Sequence, residues 1–332
     1  MNFRALFVEK QGEETSLQVK TITNEDLPTG DVLIQVVYSS VNYKDGLATI
    51  PNGNIVKDYP FIPGIDAAGY VIESHNESFK VGDRVLVTGY DLGVSHFGGF
   101  SEYIRVPAEW VVELPEGLSL KEAMIIGTAG FTAAMSVSAL EKQEVTPEDG
   151  DILVTGATGG VGSMAVVMLH NKGYRVVASS GKEEAKAFLQ SIGADEVISR
   201  EEVVPEKIRP LAKMRWAGAV DPVGGQTLAA ILANVKYGGA VAVSGLTAGV
   251  KVDTTVFPFI LRGVQLVGID SVYCPMNKRQ QLWKRLASDL KPTQLFEQGV
   301  TVVGLDDLPT VFPEILKGNI TGRTIVKITD QH

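Results

Sequence analysis

Apolar positions follow two different rhythms along the 332 residues of this chain. In the first part they form short runs: Val32 to Tyr38, Gly64 to Ile72, Arg84 to Val87 and Ser101 to Val106. Gly82-Asp83, Gly98-Gly99 and Pro115-Glu116-Gly117 punctuate them as turns. Short strands at this spacing predict a small β-barrel. Ser119 and Glu122 then form a capping-box pair ahead of Ala123-Met124-Ile125-Ile126, which predicts a helix to about Leu140. Gly127 and Gly130 inside it predict a break or a close approach.

From Asp151 strands and helices alternate. Strand-like runs fall at 152–155, 175–179, 196–198, 218–221, 240–244 and 264–269, and helical segments at 161–172, 183–192, 225–235 and 278–290. That is the strand and helix count of a doubly wound parallel sheet, the Rossmann arrangement, so the fold class is α/β. Pro309 to Lys317 predicts a short helix closed by Gly318, and Gly322 to Ile328 a last strand. Neither has a place left in the doubly wound sheet, so both return to the first domain. The expected divisions are 1–125, 126–297 and 298–332, the middle part inserted into the first.

Chemistry enters at Val154-Thr155-Gly156-Ala157-Thr158-Gly159-Gly160-Val161-Gly162, between an apolar strand and an apolar-periodic helix. A dinucleotide pyrophosphate needs glycines for close backbone approach and free N–H groups at a helix start. A tight strand-to-helix turn is the bland alternative, but Arg175 to Ala178 arrives about twenty residues after Gly156, where a second Rossmann strand belongs. Thr158, Gly159, Gly160 and Val161 are therefore candidate cofactor contacts. At the end of the second strand an NAD enzyme carries an acid for the ribose hydroxyl. This chain has Ser179-Ser180-Gly181-Lys182, a seat for a 2′-phosphate made of a hydroxyl, N–H groups at a helix start and an ammonium, so NADPH is the expected cofactor. Ser180 can also cap the following helix with Glu183. Leu246 follows the fifth strand and is expected near the nicotinamide half; Thr128 and Thr132 either approach the nicotinamide ribose or pack in a helix.

Net charge is −9, so the chain has no basic surface of the kind nucleic acid or an anionic membrane demands. One cysteine, Cys274, excludes an internal disulfide and a Cys-rich structural zinc site. The start of the chain lacks the apolar core of a signal peptide and no apolar run reaches spanning length, so a cytoplasmic protein is expected.

Taken together, Asn42-Tyr43-Lys44-Asp45, Pro63-Gly64-Ile65-Asp66, Gly82-Asp83-Arg84-Val85, Gly127 to Ala133, the glycine loop, Asp221-Pro222-Val223-Gly224 and Gly322-Arg323 resemble the medium-chain dehydrogenase/reductase superfamily over essentially the whole chain. Asn42 to Leu47, Ile125 to Ala133 and Pro258 to Val264 look like its acrylyl-CoA reductase and quinone oxidoreductase group. The resemblance implies a GroES-like β-barrel catalytic domain with a Rossmann cofactor domain, a homodimer, and cofactor contacts at Arg200 and Ser271. A catalytic zinc in this fold takes Cys where this chain has Asn42 and His where it has Ile65, so no metal is expected; His75, His96, His170 and His332 are scattered. Without a Lewis acid a carbonyl is hard to reduce, whereas an activated alkene needs only donors for the developing enolate and a proton source.

The loop that replaces the zinc loop should face the nicotinamide and supplies the candidates Asn42 and Tyr43, the latter also a cofactor contact. Tyr59, before Pro60, sits in a context like that of the proton-donating tyrosine of related enoyl reductases, and the sequence leaves the two tyrosines unseparated. Lys44 and Asp45 either orient one another or hold the loop, and Asp66 with Arg84 is expected as a structural pair. The resulting expectation is NADPH-dependent reduction of a short enoyl thioester, acryloyl-CoA to propanoyl-CoA. A quinone or enone acceptor is the alternative, and a non-catalytic NADPH-binding sensor the lesser one.

Overall fold

The structure, a computed structural model, describes residues 1–330; His332 lies outside the described residues. The chain forms two compact units. The first comprises Met1–Thr128, Val272–Ala287 and the residues from Val300 onward; the second comprises Ala129–Ser271 and Ser288–Gly299.

In the first unit a seven-stranded sheet runs in the order Val300–Val303, Arg323–Lys327, Val32–Val41, Asp66–Ser74, Arg84–Thr88 and Val112–Glu113, with Tyr103–Val106 paired to Val32–Val41. Val32, Ile34 and Val36 alternate onto one face and meet Ala67, Val71, Val85, Val87, Ile104 and Val106, all buried. Each buried Val or Ile side chain contributes about 1.5–3 kcal/mol. A separate hairpin, Asn2–Gln11 with Glu14–Thr23, is tied to the loops of this unit through Leu6 N–H to Phe100 O at 2.9 Å and a reciprocal Val8–Phe61 pair. This hairpin is not among the strands that the apolar runs predict.

The second unit is a six-stranded, all-parallel sheet in the order Glu196–Ile198, Val176–Ser179, Ile152–Val154, Trp216–Asp221, Val235–Val243 and Gln265–Gly268. Numbered along the chain from Ile152, this is 3-2-1-4-5-6, the dinucleotide-binding order. Ile152, Leu153 and Val154 are all buried, as a central parallel strand covered on both faces requires.

The helix Leu120–Lys142 breaks at Gly127, whose φ of 51° and ψ of −161° are not helical. By length and hydropathy this helix could cross a membrane, but 89% of its apolar window is buried inside the fold, as in the core helix of a globular protein.

The helix expected at 278–290 for the cofactor sheet is Met276–Leu286 and belongs to the first unit. Arg279, fully buried, donates to Thr88 O at 2.7 Å, Thr88 Oγ1 at 3.0 Å and Val272 O at 3.0 Å, and its guanidinium lies 4.6 Å from the Tyr90 ring centre. A buried cation held by these acceptors draws residues 272–287 to the first unit.

Candidate functional site

The glycine loop follows Ile152–Val154 and opens the helix Gly160–Asn171. Gly156 is left-handed at φ 53°. Gly162 is needed for space, because a Cβ there would lie 2.3 Å from Gly156 O and 2.7 Å from Ala157 Cα, both backbone atoms that cannot yield. The first-turn N–H groups of a twelve-residue helix have no intrahelical acceptor, so they face whatever the loop holds. Thr158, Gly159, Gly160 and Val161 line this turn, with Thr158 8% exposed.

Asp221, at the end of the fourth parallel strand, fixes the loop from below. Its carboxylate accepts Thr155 Oγ1–H at 2.5 Å, Val223 N–H at 3.0 Å and Gly224 N–H at 3.1 Å, and burial, opposed by these bonds, raises its pKa. This role of Asp221 is not among the sequence expectations; its signal is an acid closing an otherwise apolar, fully buried strand.

At the end of the second strand Ser180 is 8% exposed and its Oγ accepts Lys182 N–H at 3.0 Å. The expected Ser180–Glu183 capping box does not form, since the 3₁₀ turn Glu183–Ala185 begins after Lys182 and the helix proper, Lys186–Ser191, has only six residues. An anion seat here rests on side chains, not on a helix terminus. Arg200 reaches it: a Cβ on Gly181 would lie 2.6 Å from Arg200 Nε and 2.7 Å from its Cζ, so the guanidinium crosses over this glycine. The Lys182 pKa is lowered, first by burial and also by the Arg200 charge, while Glu184 opposes the shift. Two cations and a hydroxyl gather where an NAD enzyme would place an acid.

The other expected cofactor residues are spread. Leu246 is 62% exposed, Ser271 half-buried and Thr132 5% exposed with its carbonyl accepting Ser136 Oγ–H at 2.9 Å. Ser244, at the carboxyl end of the fifth strand, has an Oγ that is buried without a hydrogen-bond partner in the protein. A cofactor half lying along the strand ends fits that orphaned hydroxyl.

In the first unit Asn42, Tyr43, Asp45, Asp66 and Arg323 form one construction. Tyr43 is the first residue of the six-residue helix Tyr43–Ala48 and is 44% exposed. Asn42 caps the helix by position, but its amide is turned away: Nδ2–H donates to Asp66 Oδ2 at 2.8 Å and Oδ1 accepts from Arg323 Nη1 at 3.4 Å. Asp66 also accepts Ser40 Oγ–H at 2.6 Å, Thr128 N–H at 2.9 Å and Thr128 Oγ1–H at 2.6 Å. The expected pairing of Asp66 with Arg84 is not what the structure holds, because Arg84 is exposed and Asp66 is fully buried under these four donors. Arg323 donates Nε–H to Ile125 O at 2.9 Å and Nη1–H to Val41 O at 3.2 Å; burial lowers its pKa against the pull of Asp66 and Asp45. Asp45, not Lys44, holds the loop, accepting Asn42 N–H at 2.7 Å and Ile65 N–H at 2.9 Å.

Tyr59 lies apart from this network on the loop between the helix Tyr43–Ala48 and Phe61. It is half-buried, with Lys10 Nζ 5.8 Å from its ring centre, and burial raises its pKa. Its neighbours Lys57, Asp58, Pro60 and Phe61 join Asp91 and Phe97 around a cavity of about 390 Å³ in this unit. Ile65 is 4% exposed, and among the described residues no three His, Cys, Asp or Glu side chains gather as a metal site.

Profiles of two domain families match the chain: the alcohol dehydrogenase GroES-like domain over residues 28–116 and the zinc-binding dehydrogenase domain over residues 160–288. YhfP of Bacillus subtilis, which carries a provisional quinone oxidoreductase name, is 56% identical over 326 residues, 98% of this chain and 99% of its own. Acrylyl-CoA reductase AcuI of Ruegeria pomeroyi is 47% identical over 328 residues, again 98% and 99%. Among solved structures, the yhdH oxidoreductase of Salmonella enterica in complex with NADP superposes with a TM-score of 0.96 at 47% identity, covering 99% of this chain and all of that one. The Bacillus subtilis yhfP structure with NAD bound has a TM-score of 0.96 at 56% identity over 98% and 99%.

A GroES-like unit and a 3-2-1-4-5-6 dinucleotide sheet define an oxidoreductase of the alcohol dehydrogenase type. The chain belongs to the medium-chain dehydrogenase/reductase superfamily, with acrylyl-CoA reductases and quinone oxidoreductases as its relatives.

Proposed function

We propose that this protein uses NADPH to reduce the carbon–carbon double bond of a short α,β-unsaturated acyl thioester, acryloyl-CoA to propanoyl-CoA, without zinc. The observation that carries the cofactor is the corner of Ser180, Lys182 and Arg200 around Gly181. The thioester is supported by the 47% identity with a protein named acrylyl-CoA reductase.

The residues present fit the dinucleotide. The loop from Thr155 to Gly162 takes the pyrophosphate, Ser180, Lys182 and Arg200 take the 2′-phosphate, and the orphaned Ser244 hydroxyl meets the remaining half. When bound, NADPH supplies a hydride. The chain's own part is to meet the negative charge that develops on the thioester oxygen and to deliver a proton to the α-carbon. Tyr43, exposed at its helix start, is the donor we assign, and Tyr59 is its rival for the proton. Asn42, with its amide committed to Asp66 and Arg323, holds Tyr43 in place instead of touching substrate.

A soluble quinone or enone as acceptor is the second reading, supported by the 56% identity with YhfP. One screen of NADPH oxidation over acryloyl-CoA, crotonyl-CoA, a free enone and a soluble quinone tests both. The expected result is fastest turnover per mole of acryloyl-CoA, since the CoA handle supplies remote binding energy. Faster quinone reduction refutes the thioester, and tight NADPH binding with no acceptor turned over favours the sensor reading.

We infer a cytoplasmic homodimer as well. Gln265–Gly268 is the outer strand of its sheet, paired on one side only, and Leu266, Ile260 and Leu261 nearby are 41%, 68% and 56% exposed. An open edge with apolar flanks is a surface that proteins usually cover.

A further inference from the structure

The carboxylate of Asp45 is fully buried two residues beyond Tyr43, and both its oxygens are used. Oδ2 accepts Asn42 N–H, which ends the strand Val32–Val41, and Oδ1 accepts Ile65 N–H, just ahead of the strand Asp66–Ser74. It therefore ties two strand ends together through the first turn of the helix Tyr43–Ala48. That helix is far too short to hold its own geometry in isolation. On its other side Gly46 admits the helix Leu308–Leu316, since a Cβ there would lie 3.0 Å from Leu316 Cγ and 3.1 Å from Ile315 Cγ2. The backbone carrying Tyr43 is thus clamped while its ring stays exposed.

We propose that Asp45 is a positioning residue for the reaction, fixing the Tyr43 hydroxyl by joining Asn42 N–H to Ile65 N–H. This rests on the reading of Tyr43 as the donor to substrate. Only a carboxylate serves, because two N–H donors face its two oxygens and an amide would turn an NH₂ toward one of them. Protonation has a similar effect, as an O–H also needs an acceptor. Burial, and then the charge of Asp66, push the Asp45 pKa up to about 7, against its hydrogen bonds. The charged groups around it are Asp66 on the neighbouring strand and Arg323 on the C-terminal strand; Lys44 is half-buried on its own helix, and Glu314 and Lys317 of the packed helix pair with each other at 3.1 Å. The doubly bonded ionised form is lost as pH falls through about 7.

The test is a double-mutant cycle of Asp45→Asn and Tyr43→Phe, with kcat, KM and NADPH affinity measured from pH 5.5 to 8.5. Asp45→Asn should lower kcat about ten- to hundredfold through misplacement, with NADPH affinity within about twofold because the glycine loop and Lys182 are untouched. It should also add little on the Tyr43→Phe background. Wild-type kcat should fall on the acid side of pH 7, and Tyr43→Phe should lose that limb. If Asp45→Asn does not fold, the wild-type and Tyr43→Phe pH profiles decide alone. A lowered Tyr43→Phe rate with unchanged Asp45→Asn, additive effects, or an acid limb that persists in Tyr43→Phe overturns the positioning role only. A Tyr43→Phe enzyme with wild-type kcat overturns the donor reading beneath it.

Discussion

Reversing the charge at Lys182 separates the two cofactors. A 2′-phosphate carries about −1.5 to −2 charges at neutral pH, and NADH has none there. Losing one charge-assisted contact costs about 1.5 kcal/mol at the low end of the usual range, the end appropriate to a half-buried lysine. Placing Glu there adds repulsion of about 1–1.5 kcal/mol at roughly 5 Å in a largely aqueous dielectric. Together these weaken NADPH about a hundredfold. NADH should change by less than about threefold, since the loop from Thr155 to Gly162 is intact. Arg200→Ala should cost NADPH about tenfold by the same reasoning, because its guanidinium crosses Gly181. Fluorescence titration of both cofactors at low and high salt is the assay, and the wild-type preference for NADPH should shrink as salt rises. Equal losses for both cofactors would mean that Lys182 merely holds its loop. A wild-type preference for NADH, the reduced form of the NAD bound in the yhfP structure, would remove the 2′-phosphate assignment altogether.

Dialysis against a strong chelator should leave activity unchanged, and elemental analysis of active protein should find no stoichiometric zinc, because Asn42 and Ile65 stand where a Cys and a His would bind it; loss of activity restored by zinc refutes this. Light scattering should give a mass near twice 35.6 kDa, and Leu266→Lys should shift it toward one; a wild-type mass of one chain rejects the dimer.

The parallel sheet was legible because its information is local. Ile152–Val154, Val176–Ser179 and Trp216–Asp221 are short, fully buried runs, whereas the order 3-2-1-4-5-6, which sets the fourth strand beside the first, is a property of the folded sheet. The N-terminal hairpin was not, because Glu14–Thr23 is nowhere fully buried and its alternation is diluted by Thr15, Ser16, Gln18 and Lys20. The segment from Val272 to Ala287 misled for another reason. Met276–Leu286 reads as a polar surface helix, yet Arg279 and Trp283, one turn apart, are buried. What covers Arg279 is Thr88, 191 positions away, and no local pattern carries that.

The same distinction runs through the site. Asn42 and Asp45 are three residues apart, so their joint hold on the loop is readable as a helix start. Asp66 and Arg323 arrive from strands 24 and 281 positions from Asn42, and only the folded sheet brings them to one amide. This convergence also explains the glycine break seen in the sequence. A Cβ on Gly127 would lie 2.6 Å from Ser40 Oγ, 2.7 Å from Asp66 Oδ2 and 2.9 Å from Arg323 Nη2. The helix breaks where the buried polar network needs its backbone, and the broken turn gives Asp66 both Thr128 N–H and Thr128 Oγ1–H. Gly127 is thus as much a part of the construction around Tyr43 as the charged groups are, although it carries no chemistry of its own.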